Sequence, residues 1–205
     1  MVETQLRRRG LRDARVLEAF LRVPRHRFVD PALDGEAYAD RALPIGFGQT
    51  ISQPYMVALM TCALAPERHD RVLEVGTGSG YQAAILSRLV HTVFTIERIA
   101  PLAERARALF RELDLTNVIE RVGDGSIGWI SYAPYQGIIV TAGAPEIPPS
   151  LLAQLADGGR LVVPAGSRAN QSLLVVTRRG EHYERREETA CVFVPLLGKE
   201  GWGDD

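Results

Sequence analysis

The sequence predicts an α/β fold on a mostly parallel sheet, with helices on both faces and a helical extension at the N-terminus. Three observations carry this. From Asp70 onward, short apolar runs alternate with segments of helical period, the pattern of a parallel sheet. The first of these runs, Val72-Leu73-Glu74-Val75, enters a turn with glycine at every second position, Gly76, Gly78 and Gly80, and a helix-like stretch follows. After Gly166 the alternation stops, and two strand-like runs joined around Gly180 make an antiparallel ending.

Residues 12–22 carry Val16, Leu17, Phe20 and Leu21 at helical spacing, and Pro24 ends that helix. Residues 28–40 read as irregular or short helical structure. Residues 44–54, with their two glycines, two prolines and two hydroxyls, read as loop. Ser52 is placed to cap a helix over 54–64 with Pro54 in its first turn. Strands are predicted at 71–75, 92–97, 118–123, 136–141 and 160–164, and helices at 81–89, 100–113 and 148–156. Two more strands are predicted at 172–178 and 188–194. No repeat, low-complexity tract or interdomain linker interrupts the chain, so 1–205 reads as one domain, with 1–65 packed on the same core.

A length of 205 residues is enough for one domain with a substantial core. The net charge of −1 lacks the basic excess of a nucleic-acid binder, so no nucleic-acid partner is expected, and Arg7-Arg8-Arg9 reads as a solvated helix face. No apolar run approaches bilayer length and no apolar region of a signal peptide follows the basic N-terminus, so a cytoplasmic protein without membrane contact is expected. Cys62 and Cys191 are far apart, which suits a reducing compartment and two small buried side chains rather than nucleophiles. The histidines show no metal-ligand spacing, so no metal is expected. No long apolar surface helix stands out, and a monomer is expected.

Ligands of open α/β sheets bind at the carboxyl ends of the strands. The first strand offers Glu74 and the loop Gly76-Thr77-Gly78. The second ends at Glu97, 21 positions after Gly76, where an acidic residue takes ribose hydroxyls. The third ends at Asp124-Gly125. The loop is Gly-x-Gly-x-Gly rather than the Gly-x-Gly-x-x-Gly of dinucleotide sites, and Glu74 would repel a pyrophosphate. The loop resembles the first motif of class I, Rossmann-like methyltransferases that use S-adenosyl-L-methionine (AdoMet). That resemblance implies a seven-stranded-type sheet, AdoMet as cofactor and S-adenosyl-L-homocysteine (AdoHcy) as product. The three carboxylates match a cationic nucleoside: Glu97 on the ribose, Asp124 on the adenine amino group, Glu74 near the sulfonium.

The fourth strand ends at Thr141-Ala142-Gly143-Ala144-Pro145, without the (Asn/Asp)-Pro-Pro-aromatic motif of methyltransferases acting on DNA bases and without His or Cys nearby. A site with no base calls for a nucleophile already ionised near neutral pH, and a carboxylate is the common choice. In-line displacement at the methyl carbon then rests mostly on alignment. Hydroxyl or backbone donors from Gln49-Thr50-Ile51-Ser52 are the best candidates to orient the carboxylate.

These segments, Ile45-Gly46-Phe47-Gly48-Gln49-Thr50-Ile51-Ser52-Gln53-Pro54, the glycine loop, Gly123-Asp124-Gly125, Ala133-Pro134-Tyr135 and Phe193-Val194-Pro195-Leu196, together resemble the protein-L-isoaspartate O-methyltransferase family over about residues 12–202. The Gln-Thr-Ile-Ser-x-Pro block is the most specific of them. The resemblance implies AdoMet-dependent methylation of the α-carboxylate of L-isoaspartyl residues in age-damaged proteins and peptides. The ester then forms a succinimide, and repeated cycles restore aspartyl linkages. It implies Ser52 as the active-site serine, with Thr50 and Ile51 beside AdoMet and substrate. Glu74, Gly76, Thr77, Gly78, Glu97, Asp124 and Gly125 fall at cofactor positions. The segment 193–196 would close over the peptide, so Val194 joins Thr50 and Ser52 as a substrate contact. An unusual order of the last two strands is also implied.

Two positions depart from the family pattern. Gln136 replaces a usual Asp and can keep a hydrogen bond but not a charge, and Asp30 replaces a Pro and alters a local turn. Two further readings stay open: a methyltransferase for small carboxylates or hydroxyls, and a catalytically silent AdoMet- or nucleotide-binding module. A nicotinamide dehydrogenase is disfavoured by the glycine spacing.

Overall fold

The run 71–75 becomes an interior strand of the sheet, with both of its faces covered. The computed structural model describes residues 1–203. The chain begins with helical turns over Val2–Leu6 and Arg7–Arg9, followed by helix α1, Ala14–Arg22. Asp13 caps α1, accepting from the N–H groups of Arg15 and Val16. Short 3₁₀ turns follow at Arg25–Phe28 and Pro31–Glu36, and Asp30 starts the second by accepting from Ala32 N–H at 2.9 Å. Asp30 thus shapes a local turn, as expected.

Residues 44–54 are not a plain loop. Strands β1, Leu43–Gly46, and β2, Gln49–Ile51, pair as an antiparallel hairpin. Its tip, Gly46-Phe47-Gly48, takes φ of 88°, 54° and 70°. Glycine makes this reversal cheap, and its turn composition hides two very short strands. Helix α2, Pro54–Leu64, has Gln53 as its N-cap with no side-chain cap. This corrects the expectation for Ser52: the chain enters the helix one residue later, so the serine hydroxyl is not a cap.

The remaining elements are β3 Arg71–Val75, α3 Tyr81–Ser87, β4 Thr92–Glu97, α4 Ala100–Glu112, β5 Val118–Val122, β6 Tyr135–Val140, α5 Pro149–Ala153, β7 Leu155–Gly166, β8 Gln171–Arg179 and β9 His182–Cys191. The seven strands of the sheet stand in the order β5-β4-β3-β6-β7-β8-β9. The first five in that order are parallel, and β8 and β9 add antiparallel, in sequence order. Strand order reverses at β3, between β4 and β6, which opens a crevice at the carboxyl ends of β3 and β6. β9 starts earlier than expected because residues 182–188 are exposed, so the alternation that marks a half-buried strand is missing there. Its charges suit a free sheet edge.

The two faces of the sheet bury separate clusters. Val72, Ile139 and Val162 face α2 and α3 and share their cluster with Val2, Leu6, Val16 and Phe20 of the N-terminal segment. Leu73, Val75, Ile138 and Val140 face Leu151 of α5 on the other side. Gln136 accepts from Arg71 N–H at 2.9 Å, so the substituted position keeps its hydrogen bond without a charge. Among the described residues no helix is long and apolar enough to cross a membrane.

Candidate active site

The glycine loop is fastened from both neighbouring strands. Gly76 N–H donates to the Ile96 carbonyl at 2.8 Å, and the Thr141 hydroxyl, at the end of β6, donates to the Gly76 carbonyl at 2.6 Å. A Cβ at Gly76, whose φ is 95°, would lie 2.5 Å from Thr141 Oγ1. Glu97, at the end of β4, is 6% exposed. Its two carboxylate oxygens accept from Gly78 N–H at 2.8 Å and Ile99 N–H at 2.9 Å. Such charge-assisted bonds fix the carboxylate before any ligand arrives.

A cavity of about 400 Å³ opens at this point. Of the residues expected in the site, Thr50, Ile51, Ser52, Gly76, Thr77, Gly78, Glu97, Gly125 and Val194 line it. The hairpin β1–β2 brings Thr50 and Ser52 across from the glycine loop, and the segment 194–197 covers a further side. Among the described residues that line the cavity there is neither histidine nor cysteine.

Two expected residues do not reach the wall. Glu74 is fully buried behind it, accepting from the Thr95 hydroxyl, which is itself bonded to the Thr77 hydroxyl at 2.6 Å. Position 74 lies on the face of β3 that packs beneath α3, so the side chain points under the helix and not into the crevice. Burial raises its pKa to about 8, the Thr95 hydrogen bond opposes this, and the nearby Glu97 charge adds to it. Glu74 is therefore not in the cavity wall, where a carboxylate near the sulfonium was expected. Its unfolded pKa is about 4.3, so ionisation favours the unfolded chain as pH rises from about 4.3 to about 8. Glu74→Gln is therefore expected to gain stability over the native protein at pH 9 relative to pH 5. Thermal melts at the two pH values check this; an equal difference at both would refute it.

Asp124 does not line the cavity either. Its Oδ1 accepts from Ser126 N–H and Oγ at 2.8 and 2.7 Å, and its Oδ2 from Lys199 N–H at 2.8 Å. Burial pushes its pKa up, but these bonds outweigh it and hold the carboxyl below the usual range. It ties the loop after β5 to the C-terminal segment, and the neighbouring Gly125 lines the cavity in its place. The carboxylate expected to take the adenine amino group thus lies outside the cavity wall.

Several site residues escaped the sequence reading. Buried Gln171 brackets Phe193, accepting from its N–H at 2.8 Å and donating to its carbonyl at 3.2 Å. Gly143 N–H donates to the Val194 carbonyl at 2.7 Å, and the Trp202 indole N–H donates to the Gly143 carbonyl at 3.0 Å. These bonds seat 193–197 over the cavity. A lone glutamine opening a strand carries no local signal for this. Thr141, by contrast, stands at the visible end of a predicted strand. Tyr81 and Phe47 also line the cavity, Phe47 from the hairpin tip.

The donor set fits AdoMet. A carboxylate in the wall suits ribose hydroxyls, and the backbone cradle at Gly76 and Gly125 leaves room where side chains would collide: a Cβ at Gly125 would lie 2.6 Å from Val75 Cγ1. Met60, Val57 and Leu196 supply apolar surface.

The chain is similar to known proteins over nearly its whole length. The sequence profile of Protein-L-isoaspartate(D-aspartate) O-methyltransferase (PCMT) matches residues 1–201. A protein-L-isoaspartate O-methyltransferase of Geobacter metallireducens is 54% identical over 206 aligned residues, covering 100% of this chain and 95% of that one. One of Methanoregula boonei is 55% identical over 202, covering 98% and 93%. A solved protein-L-isoaspartate O-methyltransferase structure, 29% identical, superposes with a TM-score of 0.87 over 98% of this chain and 67% of that one. A putative Plasmodium falciparum enzyme of that name, solved with AdoHcy and 24% identical, shares the fold at a TM-score of 0.82, with 96% of each chain covered. The profile match and these relatives show that the chain belongs to the protein-L-isoaspartate(D-aspartate) O-methyltransferase family.

Proposed function

We propose that Ser52, Thr50 and Val194 hold the isoaspartyl segment of the substrate, with Ser52 catalytic, and that Thr50, Ile51, Ser52, Gly76, Thr77, Gly78, Glu97 and Gly125 hold AdoMet beside it. The enzyme methylates the α-carboxylate of L-isoaspartyl residues in damaged proteins and peptides, initiating their return to aspartyl linkages through a succinimide. The observation that carries the site assignment is the meeting of the Thr50–Ser52 turn with the glycine loop and Glu97 around one cavity.

When bound, AdoMet supplies an electrophilic methyl carbon. The chain's own residues do the rest. Glu97, held by two N–H groups, accepts from ribose hydroxyls. The Ser52 hydroxyl, not spent on a helix cap, donates to one carboxylate oxygen and leaves the other free to attack. Val194 and Leu196 exclude water. Alignment of this kind supplies a large part of such a rate enhancement, and no residue need remove a proton.

Transfer of labelled methyl to two peptides, identical but for L-isoaspartate in one and L-aspartate in the other, is expected to give base-labile label on the isoaspartyl peptide alone. Equal label on both would reject the substrate assignment. Ser52→Ala is expected to lower kcat/KM about 10- to 100-fold, the worth of a hydrogen bond to a charged group, and to lower AdoHcy affinity by a smaller factor. Unchanged turnover would remove Ser52 from the mechanism.

We further infer that the chain acts as a single-domain cytoplasmic monomer, with 1–65 an integral part of it and without nucleic-acid, membrane or metal partners. The net charge of −1 and the shared cluster of N-terminal and α3 side chains support this.

A further inference from the structure

Arg25 is among the largest of the fully buried side chains. Its Nε donates to the Ala37 carbonyl at 2.7 Å and its Nη2 to the Ser52 carbonyl at 2.8 Å. The guanidinium lies 4.8 Å from the ring centroid of Tyr81, the first residue of α3. None of its contacts is an ion pair, and its Nη1 has no hydrogen-bond partner among the described residues. The Asp40 charge favours the guanidinium from beyond ion-pair distance, but a buried cation without a directly paired carboxylate is expensive, and an apolar side chain would fill the space more cheaply. The carbonyls it holds belong to two irregular segments, and one of them is the peptide of Ser52 itself. The rigid, forked guanidinium suits this task; a lysine ammonium reaches one carbonyl but does not span two in a plane.

We propose that Arg25 is a positioning residue for methyl transfer: it fixes the Ser52 peptide, and through Tyr81 sets that turn against the start of the AdoMet-side helix. The Ser52 hydroxyl then meets the substrate carboxylate in one orientation. Arg25 does not line the cavity, so its effect passes through Ser52. The inference rests on the assignment of Ser52 above.

A double-mutant cycle tests it. Arg25→Lys, Ser52→Ala and the double variant are compared by kcat and KM for an isoaspartyl peptide, by AdoHcy titration and by thermal melting. Arg25→Lys is expected to lower kcat/KM about tenfold with AdoHcy affinity within about threefold, and in the Ser52→Ala background to lower it less than about twofold. The same loss in both backgrounds would show that Arg25 acts independently of Ser52 and overturn the proposal. Unchanged kinetics with a lowered melting temperature would make Arg25 structural only and overturn it too. A fully active Ser52→Ala would instead show that the Ser52 assignment itself had failed. Arg25→Gln enters the same cycle if Arg25→Lys does not bind AdoHcy, and failure of both to bind it refutes a positioning role.

Discussion

Gly76→Ala is expected to weaken AdoHcy binding at least about a hundredfold and to lower stability by about 2–4 kcal/mol. Two effects add. The residue sits at φ 95°, where a side chain strains the backbone by about 1–3 kcal/mol. The new Cβ would also lie 2.5 Å from Thr141 Oγ1, whose hydroxyl donates to the Gly76 carbonyl and tethers the loop to β6. Relief of the clash moves Thr141, and with it the wall of the cavity. Gly158→Ala is the matched control: φ is 77° there, but nothing lies within 4 Å of the added Cβ. The control should lose about 1 kcal/mol of stability and no AdoHcy affinity. Calorimetric titration and thermal melts of both variants decide it, and AdoHcy binding by Gly76→Ala within threefold of native would refute the argument.

Glu97→Ala is expected to lower AdoMet affinity about 100- to 1000-fold. The carboxylate accepts from two half-buried backbone N–H groups, and its removal frees the glycine loop and the turn at Ile99 that these bonds hold in place. The ribose acceptor is lost as well. Glu97→Gln keeps the shape but turns one oxygen into a donor facing a donor, so an intermediate loss of about 10- to 30-fold is expected. At saturating AdoMet the peptide KM should stay within about threefold, because Glu97 belongs to the cofactor side of the cavity. Unchanged AdoMet affinity in Glu97→Ala would sink the assignment of ribose to Glu97.

The three carboxylates expected to face the ligand show where sequence reading succeeds and where it stops. Glu97 ends its strand at the crevice, and spacing from the glycine loop was enough to find it. Glu74 and Asp124 have equally good positions along the chain. Yet Glu74 is turned under α3 by the two-residue alternation of β3, while Asp124 is taken by N–H groups, one of them 75 residues away. Ser52 shows the reverse. Its spacing before Pro54 suited a helix cap, and only the entry of the helix at Gln53 leaves its hydroxyl to the cavity.

The sequence by itself determined the α/β class, the antiparallel ending, the glycine loop, Glu97 and the Thr50–Ser52 block, because these are written in local periodicity and short spacing. The tertiary structure alone decided that 43–51 is a hairpin, that Gln171 seats the segment over the cavity and that Arg25 holds the Ser52 carbonyl. Each depends on hydrogen bonds between positions remote in sequence or on strands too short to show a period. Burial likewise pushes the Glu74 pKa up, since its desolvation depends on what covers it and not on its neighbours in the chain.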